Sequence, residues 1–433
     1  MTTVAEVRLW GKTVGAVAVE NANDTAVFEY DPGFAGSGIQ IAPLTMPTSQ
    51  RIYSFPALSR TSFHGLPGLL ADSLPDKFGS ALIEEWLVRQ GRNPASFNSV
   101  ERLCYTGKRG MGALEFYPGI GERSRVASPL DIAKLTELAS DILMRRDSFS
   151  VSISQSESTR AMADLLKVGT SAGGARAKAV IAWNPETNEV RSGQVDAPDG
   201  FEHWLLKLDG VANNSDRELS DPQGFGAIEF AYCQMARAAG IEMSECRLLE
   251  EGGRRHFMTR RFDRTQTGKK CHMQSLGALA HFDFNLAGAY SYEQALQVVR
   301  QIGAPTTDVE ALFRRMVFNI VARNQDDHVK NIAFLMDKSG NWRLAPAFDV
   351  CFSYNPDGNW TSTHQMSLNG KRDNFLFEDF KQCEKGASLK QNTAKRILAE
   401  VVDAVSGWTA HAEAANIRSD WRGHIQSAFR LKF

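Results

Sequence analysis

The sequence predicts an α+β fold of two lobes, with an added β-rich subdomain at the N-terminus and a mainly helical lobe at the C-terminus. Three observations predict it. Residues 4 to 60 alternate short apolar segments with turn signals. Strand patterns and one helix share the region from about 165 to 264, and apolar residues after about 290 mostly recur at helical spacing. We therefore expect an N-terminal subdomain at 1–125 and a core at 126–433, divided into a smaller lobe at about 150–264 and a helical lobe at about 265–433.

Composition and charge narrow the class of protein. The chain has 433 residues, 43% of them apolar, which is enough for two or three packed units. Lys and Arg number 49 and Asp and Glu 50, so no net charge attracts the chain to nucleic acid or to an anionic membrane. We expect a cytoplasmic protein without membrane association, because we find no signal peptide, no spanning segment and no C-x-x-C pair among the six cysteines.

The N-terminal part is expected to hold short strands and two helices. A helix from about Ser73 to Gly91 has Phe78, Leu82 and Trp86 on one face, and a second helix follows Pro129. Between them, the glycine-rich segment 103–112 lacks the lysine followed by Ser or Thr that a phosphate loop requires. We interpret that segment as a structural loop and place a unit boundary between about 120 and 150.

The smaller lobe contains a glycine-rich turn, strands and one helix in a definite order. The turn at 169–175 leads into a strand at 178–183, and in the next strand Lys207 faces away from Trp204 and Leu206. A helix from about 226 to 240 carries Glu229, and a hairpin then turns at Gly252-Gly253.

The helical lobe presents a polar loop between a helix and a hairpin. The helix is expected to begin at Thr307, where Glu310 completes a capping box, and it leads to the loop at 324–331. The chain then turns back at 339–341 and reaches Asp349. Because a hairpin returns the chain to its starting end, Asp349 and the polar loop are expected to lie close together.

Asp326 and Asn331 have the D-x-x-x-x-N spacing of a kinase catalytic loop. In such a loop the Asp orients the acceptor hydroxyl and the Asn holds Mg²⁺, while Asp349 stands where a second metal-binding carboxylate is needed. His328 and Lys330 are suited to contacting phosphate or bracing the carboxylates. Each residue alone is typical of a cap or a turn, so the prediction depends on the set. Asp327 is interpreted as solvated or structural.

Upstream residues supply candidates for binding the nucleotide. The glycine-rich turn is suited to cradling phosphates, and Lys207 is the preferred phosphate-binding lysine, with Lys178 as a competitor. Glu229 is the candidate ion-pair partner, or a helix N-terminal charge that complements the dipole. The segment from Arg260 to Phe262 either contacts adenine or is an ordinary strand end.

In order, these residues resemble the HipA family of bacterial serine/threonine kinase toxins from type II toxin–antitoxin modules. The resemblance covers nearly the whole chain and lies in the N-terminal strands and four motifs: 109–114, 261–264, the segment from Asp326 to Asn331, and the segment from Pro346 to Asp349. It implies a protein-kinase-like fold that uses ATP and Mg²⁺. Asp326 is then the catalytic base, and Asn331 and Asp349 are the metal ligands.

The resemblance also implies a set of ATP-binding residues and partners. The nucleotide site consists of Gly173, Gly174, Ala175, Arg176, Ala177, Lys178, Lys207, Arg260, Arg261, Phe262, His328, Val329, Lys330, Asn331, Phe348 and Asp349. Ser171 occupies the autophosphorylation position, where phosphate would block ATP binding by charge repulsion. Arg260 departs from the acidic residue frequent in the family. Implied partners are a small helix-turn-helix antitoxin resembling HipB, operator DNA bound mainly through it, and a protein substrate such as an aminoacyl-tRNA synthetase.

Two other functions are compatible with the same residues. In a metal-dependent nuclease or phosphodiesterase, Asp326, His328 and Asp349 would hold two metals and activate water. The lysine and the glycine-rich turn upstream argue against this alternative, because hydrolysis needs neither. A catalytically silent protein that binds only antitoxin and DNA is the second alternative, and the intact acidic residues argue against it.

Overall fold

The computed structural model describes most of the chain as two compact units. It describes residues 2–21, 24–120, 127–145, 168–169, 176–193, 197–211 and 224–433, with the side chains of 141–145 excepted. The first unit comprises 1–42, 46–226 and 247–273; the second comprises 43–45, 227–246 and 274–433. The limit expected at 125 does not coincide with a limit between these units. No helix among the described residues is both long and apolar enough to cross a bilayer.

A four-stranded antiparallel sheet forms the N-terminal part of the first unit. Its order is β3-β2-β1-β4, with β1 Thr3–Leu9, β2 Lys12–Val19, β3 Val27–Tyr30 and β4 Leu114–Tyr117. In β1 the side chains of Ala5, Val7 and Leu9 are buried in alternation, which confirms the expected amphipathic strand.

The helices of the first unit follow the predicted order but not every predicted limit. They are α1 Pro32–Ala35, α2 Arg60–Phe63, α3 Gly68–Ala71, α4 Lys77–Arg89, the 3-10 helix Pro94–Ser96, α5 Ser99–Thr106 and α6 Ile132–Arg145. Helix α4 begins later than the expected Ser73 because the carboxylate of Asp76 accepts a hydrogen bond from Gly79 N at 2.6 Å. The segment at 103–112 is only partly a loop, since α5 extends through Thr106 after a capping box formed by Asn98 and Glu101.

A five-stranded sheet completes the first unit. Its order is β6-β5-β7-β9-β8, with β5 Lys178–Trp183, β6 Val190–Ser192, β7 Glu202–Lys207, β8 Cys246–Glu251 and β9 Arg254–Arg260. One face packs Ile181, Trp204, Leu206 and Met258 into a core together with apolar residues of α4 and α6. Gly252 and Gly253 have φ of 56° and 77° in the predicted hairpin turn.

The second unit is mainly helical, as predicted, and confirms the α+β class. Its helices are α7 Phe225–Ala238, α8 Leu276–Ala280, α9 Tyr292–Gln301, α10 Thr306–Val321, the 3-10 helix Val329–Asn331, α11 Phe377–Gly386, α12 Thr393–Ser406, α13 Trp408–Ala414 and α14 Ser419–Ala428. A small sheet has the order β10-β11-β12, with β10 His272–Ser275, β11 Ala333–Met336 and β12 Trp342–Leu344; the first two residues of β10 still belong to the first unit.

Helix α10 positions the polar loop but is not capped as expected. Leu312, Met316 and Ile320 are fully buried, which confirms the apolar face. The predicted capping box is wrong: the N-cap is Pro305, which makes no side-chain cap, and Glu310 instead pairs with Arg396 at 2.6 Å. Proline has no side-chain acceptor, and the helix begins one residue earlier than expected.

Candidate active site

The polar loop begins where α10 ends, and a sharp change of backbone direction starts it. Arg323 has a left-handed backbone with φ of 56°, which stops the helix. The loop then runs from Asn324 into the 3-10 turn Val329–Asn331, which His328 caps by accepting a hydrogen bond from Lys330 N at 3.3 Å. Strand β11 follows directly, so the loop is held between two packed elements of the same unit.

Asp326 and Asn331 are in contact across this loop. The side-chain amide of Asn331 donates from Nδ2 to the backbone oxygen of Asp326 at 2.8 Å. The Asp326 side chain is 28% exposed, and its Oδ1 accepts a hydrogen bond from the indole Nε1 of Trp360 at 2.7 Å. His328 Nε2 lies 3.8 Å from the same oxygen. The spacing noticed in the sequence therefore corresponds to a closed loop with an oriented, partly exposed carboxylate.

Asp349 follows the predicted hairpin of β11 and β12. Its backbone is left-handed, with φ of 52°, a conformation that Asp tolerates better than most residues. Two residues earlier, Ala347 N donates to Glu242 O at 2.8 Å, which fixes this segment to the chain that follows α7. Phe348 lines a cavity of about 20 Å³ that Asn331, His328 and Asp327 also line. The hairpin thus brings the residue next to Asp349 to the same cavity as the polar loop.

The donor atoms of this loop are compatible with Mg²⁺. Because Asn331 Nδ2 is bound to Asp326, its Oδ1 is the atom oriented to accept a cation. Magnesium is commonly held by one or two protein carboxylates and completes its shell with phosphate oxygens and water. Among the residues that the structure describes, no group of three or more His, Cys, Asp and Glu is arranged to hold a metal alone. A cation at this loop would therefore need oxygens of phosphate or water besides any ligand that the protein supplies.

Asp327 is a structural residue, and the alternative that it is solvated is wrong. Its side chain is fully buried and accepts hydrogen bonds from Tyr292 OH at 2.6 Å and Gln365 N at 2.7 Å. His364 Nδ1 lies 2.8 Å from the same carboxylate. Burial alone would raise the pKa of Asp327, but His364 and these donors outweigh burial and lower it below its ordinary value.

Sequence reasoning did not identify Trp360, His364 or Tyr292 as parts of the site. Each contacts Asp326 or Asp327 from 34 to 37 positions away along the chain. No local motif encodes such a contact, and an isolated Trp or His in a loop has many structural roles. A polar loop rich in Asn and Asp that follows a helix is nevertheless a signal to search for donors elsewhere.

In the first unit, Lys178 and Lys207 lie directly opposite each other on β5 and β7. Both are nearly buried, with exposures of 4% and 8%, and Lys207 Nζ lies 5.6 Å from the ring centroid of Phe257 on β9. This pair is on the sheet face opposite the core residues Trp204 and Leu206. The two competing lysines therefore lie side by side on one face of the sheet.

Arg260 and Arg261 have structural side-chain partners. Arg260 is paired with Trp204 in the sheet register, on the face opposite Lys207, and forms an ion pair with Glu202 at 3.1 Å. The Arg261 side chain is buried and binds Asp263. Both side chains are thus engaged within the sheet and its following turn.

The remaining predicted residues are placed as follows. Val329 is buried in the 3-10 turn, Lys330 Nζ lies 4.7 Å from the ring centroid of Phe284, and Phe262 is partly buried. Arg176 stacks on Phe225 at 4.0 Å, Ala177 O accepts from Leu208 N at 3.0 Å, and Glu229 is buried on α7. Ser171, Gly173, Gly174 and Ala175 lie outside the described residues.

Comparison with protein families identifies two matching regions. Residues 5–117 match the HipA N-terminal domain, and residues 170–408, more than half of the chain, match the HipA-like C-terminal domain. The chain belongs to the HipA family. The C-terminal match includes every residue assigned above to catalysis, metal or nucleotide, from Gly173 to Asp349.

Individual relatives of this HipA-family chain are distant. The Sinorhizobium fredii protein named "Putative kinase Y4mE" is 27% identical over 27% of this chain and 30% of its own length. A Haemophilus influenzae protein named "Putative kinase" is 28% identical over 28% of this chain and 39% of its own length. The matches thus span less than two fifths of the length of either curated relative. The HipA of a Shewanella oneidensis complex of HipA, HipB and operator DNA shares the fold, with a TM-score of 0.66, 16% identity and coverage of 98% and 95% of the two chains.

Two of the motifs that carried the resemblance contact each other within the first unit. The fully buried Asp263 carboxylate accepts hydrogen bonds from Gly112 N at 2.7 Å, from Arg261 at 2.9 and 2.7 Å, and from Arg264 at 2.8 Å. Both arginines also donate to Gly110 O. This buried ionic network shows that the glycine segment at 110–112 is a structural loop, as interpreted from its lack of Walker spacing.

Proposed function

We propose that this HipA-family chain is an ATP- and Mg²⁺-dependent protein serine/threonine kinase that acts as the toxin of a toxin–antitoxin module. The observation that carries the proposal is the state of Asp326: it is partly exposed, its backbone is held by Asn331, and its Oδ1 is held by Trp360. In the described part of the chain no hydrogen-bond partner contacts its Oδ2. That oxygen is available to accept the proton of a substrate hydroxyl.

The proposal assigns each of these residues a role in phosphoryl transfer. The Asp326 carboxylate orients a serine or threonine hydroxyl and takes its proton while the hydroxyl oxygen bonds to the γ-phosphorus and ADP departs. Bound Mg²⁺, held by Asn331 and Asp349 in this proposal, would neutralise charge on the phosphate oxygens. Lys178 and Lys207 supply cationic donors to phosphates, and His328 and Lys330 are further donors beside the loop.

The partners belong to the proposal as well. The Shewanella oneidensis structure contains HipA with HipB and operator DNA, which supports a HipB-like antitoxin as the partner of this chain. The formal net charge of this chain is −1, so it has no excess of positive charge for binding DNA directly, which supports DNA contact mainly through the antitoxin. We propose a translation component, such as an aminoacyl-tRNA synthetase, as the substrate, and autophosphorylation of Ser171 as the event that inactivates the enzyme. Incubation with Mg²⁺-ATP should then add one phosphate, located at Ser171 by peptide mass spectrometry.

The test of the kinase assignment compares three Asp→Asn variants. Asp326→Asn and Asp349→Asn are expected to lower phosphate transfer from γ-labelled ATP at least about 100-fold, because a base or a metal ligand is lost. Asp403→Asn, at an exposed position of α12, is the matched control and should retain activity. Full activity in Asp349→Asn contradicts the assignment. Nuclease activity that needs no ATP and disappears in Asp326→Asn would favour the metal-dependent hydrolase instead.

A further inference from the structure

The indole of Trp360 approaches the carboxylate of Asp326 from a distant part of the chain. Its Nε1 donates to Oδ1 at 2.7 Å, although 34 positions separate the two residues. An indole N–H is a donor only, so this contact has one possible direction. The bond therefore engages one carboxylate oxygen and leaves the other, Oδ2, for a substrate.

Trp360 begins a segment, residues 360–365, that is bound along the polar loop; we call it the clamp segment. Gln325 Nε2 donates to Thr361 O at 3.0 Å, and Gln365 N donates to Asp327 at 2.7 Å. Gln365 Nε2 also donates to the backbone oxygen of Trp360, so the two ends of the segment are bound to each other. These bonds attach the clamp segment to the residues on both sides of Asp326 and fix the place from which the indole donates.

The buried end of the clamp segment is anchored by a chain of polar contacts. His364 is fully buried, with Nδ1 at 2.8 Å from Asp327 and Nε2 at 3.2 Å from Arg430 Nη1. Arg430 is in turn paired with Asp373. Because this end is held by charged groups inside the unit, the indole at the other end has little freedom to leave Asp326.

We propose that Trp360 is a positioning residue for phosphoryl transfer, which fixes the rotamer of Asp326 so that Oδ2 faces the attacking hydroxyl. A carboxylate turns about a broad two-fold torsion, and one donor on one oxygen removes that freedom. Two further aromatic rings lie beside the loop. The centroid of the His328 ring is 6.4 Å from that of the Trp360 ring and 5.8 Å from that of the Phe284 ring. This inference rests on the proposed kinase function.

The test replaces Trp360 by phenylalanine, which keeps an aromatic ring and removes the N–H. Phosphate transfer from γ-labelled ATP to casein is measured with the full chain, together with the KM for ATP. Since a misplaced general base affects the chemical step, we expect kcat to fall about tenfold and the KM for ATP to stay within about twofold. The matched control is Trp421→Phe on α14, a partly buried tryptophan whose ring packs edge-on against the ring of His424.

A second readout does not depend on activity. In ¹⁵N-edited NMR spectra, the indole N–H resonance missing from Trp360→Phe identifies Trp360, and Asp326→Asn should shift that resonance more than those of the other seven tryptophans. An unmoved resonance, or an unchanged kcat in Trp360→Phe, overturns the positioning role. An equal loss in Trp421→Phe also overturns it, since the effect would then be general destabilisation. If the unmodified protein transfers no phosphate while the resonance shifts as expected, the proposed function fails and the Trp360–Asp326 contact stands.

Discussion

Replacement of Asp263 by asparagine is expected to destabilise the first unit strongly. The carboxylate is fully buried and accepts four hydrogen bonds, three of them from Arg261 and Arg264. An asparagine oxygen in the Oδ2 position retains at most three of these bonds, and its NH₂ group then faces Arg261 Nε, a donor against a donor. Two buried guanidinium groups also lose their counter-charge.

The expected loss is about 3 kcal/mol of unfolding free energy, the lower end of what breaking a buried ion pair costs, because asparagine keeps the shape and most of the bonds. The assay is urea unfolding, combined with amide hydrogen exchange read out in peptides from 103–117 and 254–273. Exchange should accelerate in both, since the network joins them. The matched control is Asp420→Asn, whose arginine pair has the same 2.7 Å distance but is exposed, and no measurable change is expected. If Asp263→Asn behaves like Asp420→Asn, the reasoning is refuted.

Two further predictions concern the same unit. Burial lowers the pKa of His272 to about 4, below the value near 6.5 of the unfolded chain, so the stability that it contributes is complete above about pH 6.5 and lost as pH falls toward 4. Urea unfolding at pH 7, 6 and 5 should therefore show a steeper loss of unfolding free energy in the unmodified chain than in His272→Gln, by about 2 kcal/mol between pH 7 and pH 5, and equal slopes would count against this prediction. Gly112→Ala should lower the thermal midpoint of unfolding more than Gly91→Ala. Both glycines have left-handed backbones, with φ of 74° and 71°. At Gly112 the added carbon would also lie 3.1 Å from the backbone nitrogen of Met273, whereas at Gly91 it would meet no other atom. Equal shifts would show that the close approach is unimportant.

Features encoded by neighbouring residues were predictable from the sequence. The hairpin turns at 252–253 and 339–341 and the apolar face of α10 all depend on spacings of a few residues, and the structure confirms them. The first residues of helices were less predictable, because several neighbouring side chains can serve as the N-cap. The Asp76 side chain caps α4 and thereby sets where the helix begins. Glu310 forms an ion pair with Arg396 instead of the expected capping box.

Contacts between distant segments were not predictable from one sequence. The spacing of Asp326 and Asn331 pointed to the loop, but nothing local indicated that Trp360 would bind Asp326 or that His364 would bind Asp327. The pairing of Lys178 with Lys207 likewise depends on strand register, which is set by the burial of a whole face rather than by any one residue. The assignment of ATP and metal ligands remains a prediction that the variants above test.

The opposed lysines have a consequence for how the five-stranded sheet assembles. Side chains alternate between faces along a strand, so sliding β7 by a single residue would exchange its two faces. Lys207 would then enter the apolar layer beside Ile181 and Met258, and Trp204 would lose its place there. An ammonium group without water or a counter-ion is so costly in that layer that the misaligned pairing cannot compete during folding. The two lysines of the candidate phosphate site thus also help to fix the register of the strands that carry them.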